Sequence, residues 1–111
     1  VKVRKGSLVT VPYTMDLNDA VLARRPDDIA EFCEQIRDHF DTVYAEGDRS
    51  MCIALHPYWI GQPHRIGPWM RAMEYILSHP GVWVATGGEI AAHFRTHHLP
   101  AIEQHLAERR A

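Results

Sequence analysis

The chain of 111 residues is 46% hydrophobic and sets 12 basic against 14 acidic side chains, a formal charge of -2. That balance fits a globular domain and excludes the broad basic field that nucleic acid or an anionic membrane would need. No apolar run approaches the roughly 18–20 residues that cross a bilayer, and the start VKVRKGSLVTV is too basic and interrupted for a secretory signal. A soluble, cytoplasmic protein is expected, with Cys33 and Cys52 as free core thiols rather than a disulfide framework.

In chain order, SLVTVPY (7–13) reads as a short strand ending at Pro12, and TMDLNDA as the polar loop that follows. Pro26, Asp27 and Asp28 open a helix in which Ile29, Phe32, Cys33, Ile36, Phe40, Val43 and Tyr44 recur at helical offsets. Its first turn is acidic and Gly47 is its stop signal. SMCIALH (50–56) is a continuous apolar run, the pattern of a strand covered on both faces in a parallel sheet, and Pro57 ends it. After the turn GQPHRIGP, a helix over roughly 66–79 places Ile66, Met70, Met73, Ile76 and Leu77 on one side and closes at His79-Pro80-Gly81. VWVAT (82–86) reads as a third strand. Gly87-Gly88, the helix GEIAAHFRTHH and a last helix restarted by Pro100 complete the chain.

This order predicts an α/β fold, with parallel strands alternating with helices through right-handed crossovers. Three parallel strands leave two open edges, so residues 1–111 read as a single partial domain of something larger. In such folds functional groups collect at the carboxyl ends of the strands. His56 stands there, with Asp16, Asn18 and Asp19 after the first strand and Thr86 and Glu89 after the third. A histidine in that position suits proton transfer near neutrality, and it equally suits a hydrogen-bonded structural role.

Tyr58, Trp59 and Trp69 could wall a flat ligand such as a sugar, or pack a loop. Gln62 and Arg65 offer donors at the same turn, for substrate or for loop carbonyls. His93, His97 and His98 form HxxxHH on a helix, a spacing compatible with metal, but without the glutamate of HExxH or a marked third ligand they read as surface histidines. Gly87-Gly88 is a weak anion-binding signal, better explained as a tight turn. No serine nucleophile elbow is present, and neither cysteine sits in a context that would activate it.

Taken together, VPYTMDLND (11–19), FDTVYAEGDRSMCIALHPYWIGQPHRI (40–66) and YILSHPGVWVATGGEIAAHF (75–94) resemble the C-terminal portion of the polysaccharide deacetylase, or NodB-homology, family. The branch most resembled is that of the peptidoglycan deacetylase-like proteins and the cofactor-independent allantoinases. The resemblance implies the C-terminal half of a distorted (β/α) barrel that hydrolyses an amide C–N bond in a polysaccharide or a small cyclic amide. It implies that Leu55-His56 fills a leaving-group acid motif, which makes His56 the catalytic candidate. Asn18 and Asp19, in a segment like that on the substrate side of the allantoinase barrel, and Tyr58, Trp59 and Arg65 become substrate-binding candidates. The family's divalent metal, often zinc, and its base aspartate belong to the N-terminal half, so no metal ligand is assigned in this chain and the chain alone is expected to be inactive. A rival reading is a non-catalytic binding or assembly module whose open edges are covered by homo-oligomerisation.

Overall fold

Five helices organise the described chain: α1 (Ile29–Glu46), α2 (Pro57–Ile60), α3 (Pro63–Leu77), α4 (Gly87–His97) and α5 (Leu99–Glu108). They come from a computed structural model that describes residues 4–20 and 29–109. The helix opening expected at Pro26–Asp28 lies outside the described residues. The chain divides into two compact units, one of residues 12–82 and one of residues 1–11 with 83–111.

In the first unit the periodic stripe of α1 does what its spacing dictates. Phe32, Cys33, Ile36 and Phe40 are buried, and Phe32, Ile36 and Phe40 join Leu17 and Ile76 of α3 in one apolar cluster. Burying a side chain of this size contributes about 1.5–3 kcal/mol, so α1 against α3 is the energetic centre of the unit. Gly47 ends α1 at φ 69, and Gly81 ends the turn after α3 at φ 81, conformations that only glycine adopts without strain.

Among the described residues the expected α/β sheet is not there. Between described residues, pairing is a single parallel bridge, Asn18 with Ala54, closed by Ala54 N–H on the Leu17 carbonyl at 2.8 Å and Asp19 N–H on the Ala54 carbonyl at 3.1 Å. The ladder stops because the chain turns away into a short 3-10 segment at Asp19 and Ala20. The apolar run 51–56 is half-buried rather than covered on both faces. Met51, Ile53 and Leu55 pack on the core cluster, and a run that buries one side only needs no neighbouring strands. Residues 82–86 have no regular structure, and Trp83 and Val84 are exposed. Residues 7–13 are irregular apart from a bridge at Ser7. The barrel expectation is therefore corrected, for the described residues, to a helical arrangement with isolated bridging and no sheet.

The second unit is built from local signals. α4 opens with a reciprocal capping box in which the Thr86 side chain accepts from Glu89 N–H and the Glu89 carboxylate accepts from Thr86 N–H. Pro100 sits in the first turn of α5, where its missing N–H costs nothing. Arg95 Nη2 donates to the Ser7 carbonyl at 2.9 Å. Neither α4 nor α5 contains a buried residue.

Candidate functional site

The bridge between residues 18 and 54 sets the site. Two residues beyond Ala54 the chain presents His56, and one residue beyond Asn18 it presents Asp19, so the pairing delivers them to the same place from positions 37 apart. Asp19 has no exposed surface. One of its carboxylate oxygens accepts the backbone N–H of His56 at 2.7 Å, and the other lies 2.6 Å from His56 Nδ1. A carboxylate can only accept, so Nδ1 carries the hydrogen and Nε2 is left for another partner. A buried carboxylate without partners would be costly; here His56 supplies two donors. The histidine side chain is 41% exposed.

This geometry fixes the ring at both ends, because the same aspartate holds the backbone and the imidazole. Such a pair can pass a proton at Nε2 while the carboxylate balances the imidazolium charge. The stretch after His56 continues the design. His56 is the N-cap of α2 with Pro57 at its first position, and its carbonyl accepts from Trp59 N–H at 2.8 Å and Ile60 N–H at 3.0 Å. Gly61 closes the turn against the Pro57 carbonyl; a Cβ there would stand 2.5 Å from that oxygen, which leaves room for glycine alone.

The other expected residues fall around this dyad in different settings. Tyr58 is exposed, with its ring 5.7 Å from the His56 ring in an edge-on arrangement. Asn18 is half-buried; its amide donates to the Tyr13 hydroxyl at 3.3 Å, and its oxygen accepts Ala20 N–H at 2.9 Å. Trp59 packs against the core cluster, and its indole N–H is buried without an acceptor among the described residues. Arg65 is buried, with its guanidinium 3.6 Å from the Trp59 ring centre and Nη1 donating to the Trp59 carbonyl at 3.2 Å. Asp19, a substrate-binding candidate of the sequence, has both carboxylate oxygens on His56.

Sequence reasoning did not single out α2 or Gly61 as the frame of His56. The spacing Pro57, Gly61, Pro63 was the available signal, since it marks a helix start, a stop and a second start within seven residues.

Thr86 and Glu89 are committed to the α4 cap, which also holds the Glu89 carboxyl below its usual range. An open groove of about 600 Å³ lined by Asp16, Gln35, Asp38, His39 and neighbours does not include His56. Cys33 is buried, and burial pushes its thiol pKa up against the opposing pull of Arg37 and Arg71, which makes it a poor nucleophile. Cys52 is also a free thiol, half-buried. The His93 and His97 rings lie 4.5 Å apart and His93 and His98 5.5 Å. Even so, among the described residues no three His, Cys, Asp or Glu side chains are placed to hold a metal ion, so the residues present do not fit the divalent metal that the resemblance implies. No helix of the described residues is long and apolar enough to cross a membrane.

A protein of Schizosaccharomyces pombe named "Putative polysaccharide deacetylase" is 39% identical to this chain over 100 residues, which cover 85% of the chain. That relative supports the deacetylase resemblance. The match spans 31% of the relative's own length. No family model matches the chain, and no solved structure does.

Proposed function

We propose that this chain forms part of a deacetylase-like hydrolase of non-peptide C–N bonds, with His56 as the acid that protonates the leaving nitrogen. The observation that carries the reading is the His56–Asp19 pair, whose geometry leaves Nε2 available beside an exposed aromatic ring. The deacetylase-named relative supplies the reaction class. When the C–N bond breaks, its electron pair takes the Nε2 proton of the His56 imidazolium, which leaves a neutral ring whose Nδ1–H stays on Asp19. Delivery of water to the carbonyl, and the divalent metal or zinc ion associated with that step, fall to groups outside the described residues.

In this reading Tyr58 and Asn18 meet the substrate, an N-acetylated carbohydrate or a small cyclic amide as in the peptidoglycan deacetylase and allantoinase-like branch. The PYTMDLND segment favours that branch, because it contributes both Asn18 and the aspartate of the pair. The test is His56→Ala in a catalytically competent polypeptide carrying this region, followed as acetate release from an N-acetylated polysaccharide or as opening of a cyclic amide. Turnover is expected to fall by roughly 10²–10⁴. Unchanged turnover removes His56 from the chemistry.

A further inference from the structure

His56 is followed by a helix of only four residues, far too short to hold itself together, because helix nucleation is unfavourable and, beyond the Pro57 carbonyl that takes Gly61 N–H, its last carbonyls need partners from outside. Two of those carbonyls are taken by side chains from the start of α3. Gln62 Nε2 donates to the Tyr58 carbonyl at 2.9 Å, and Arg65 Nη1 donates to the Trp59 carbonyl at 3.2 Å. Arg65 does more than cap. It is 7% exposed, and its guanidinium carbon stands over the Trp59 ring 3.6 Å from the ring centre, while Trp59 itself rests on the core cluster. The turn is thus held between the core on one side and a buried cation on the other, and Trp59 N–H and Ile60 N–H return directly to the His56 carbonyl.

We infer that Arg65 is a positioning residue for His56: by clamping Trp59 through its ring and its carbonyl, it fixes the α2 turn and with it the direction of the imidazole toward Asp19. The planar fork explains why this position holds arginine. Lysine carries the same charge but cannot stack over the ring and donate to the carbonyl in one geometry. The inference deepens the proposed function and rests on it for its catalytic meaning, but the clamp can be tested without any turnover.

The experiment uses this chain labelled with ¹⁵N-histidine and reads the hydrogen-bonded Nδ1 proton of His56 by NMR. Arg65→Lys is expected to speed exchange of that proton with water at least about ten-fold, with far-UV helicity retained. Trp59→Phe keeps a ring face and the carbonyl, and is expected to preserve the signal. A folded Arg65→Lys chain with wild-type exchange overturns the inference. If that variant does not fold, Trp59→Leu decides: it removes the face and leaves the carbonyl bond, and wild-type exchange there overturns the clamp equally.

In a catalytically competent polypeptide, Arg65→Lys should lower kcat on the order of ten-fold with little change in KM, since a misplaced proton donor slows the step without weakening binding. A rise in KM alone would make Arg65 a substrate contact and overturn the positioning role. Loss of the Nδ1 signal in Arg65→Lys, combined with unchanged turnover in His56→Ala, would leave the clamp standing and remove the catalytic reading.

Discussion

The two compact units are stabilised in different ways. Residues 12–82 enclose Leu17, Phe32, Ile36, Phe40 and Ile76 in a shared core, and the His56–Asp19 pair is anchored directly on the elements that form it. In the other unit α4 and α5 bury no residue fully and leave Trp83, Val84, Ile102 and Leu106 exposed. That unit relies on a capping box, a proline at a helix start and one arginine to carbonyl bond. The difference teaches that precise placement of a reactive group follows long-range burial, while helices alone can be specified by local chemistry.

The comparison breaks most readily at the core. Ile36→Ala is expected to cost about 2–5 kcal/mol and to unfold or loosen residues 12–82, whereas Leu106→Ala in α5 should stay near 0.5 kcal/mol. Chemical denaturation followed by near-UV and far-UV circular dichroism checks the contrast, and equal costs at both positions would erase it.

Next in size is Asp19→Ala, which leaves the His56 backbone N–H and imidazole without their acceptor. A loss on the order of 2–3 kcal/mol is expected, moderated by the exposure of the histidine ring. Thermal melts of this variant and of Asp16→Ala, an exposed neighbour, separate a buried acceptor from a surface charge.

The smallest effect belongs to the α4 cap. Thr86→Ala should cost about 1 kcal/mol of local helix stability. The lowered folded pKa of Glu89 means that its contribution is fully present above the ordinary value of 4.5 and is lost as pH falls through the lowered value. Amide exchange in α4 measured across that acid range should show protection falling as pH falls in the wild type and little change in Glu89→Gln, which removes the titrating carboxylate that accepts Thr86 N–H.

The longer helices were legible because each is written in a short window. The stripe that begins at Ile29 and the proline and glycine stops act within a few residues, and both reappear in the structure. The strands were not. A run such as SMCIALH has the same composition whether it lies inside a sheet or on the flank of two helices, and its half-buried state is set by what covers it. His56 stands out by its place at the end of an apolar run, and Asp19 by its place in the polar loop after residues 7–13, yet nothing local joins residues that far apart.

What the sequence by itself determined, then, is the helical periodicity, the turn chemistry of LHPYWIGQPHR and the identity of the histidine and carboxylate side chains. Only the tertiary structure decided that the second and third apolar runs form no sheet, that Asp19 lies buried behind His56, and that Arg65 is turned inward onto Trp59. The physical reason is that hydrogen bonds and burial between distant segments depend on which surfaces remain to be covered once α1 and α3 have packed, and no window of the chain contains that information.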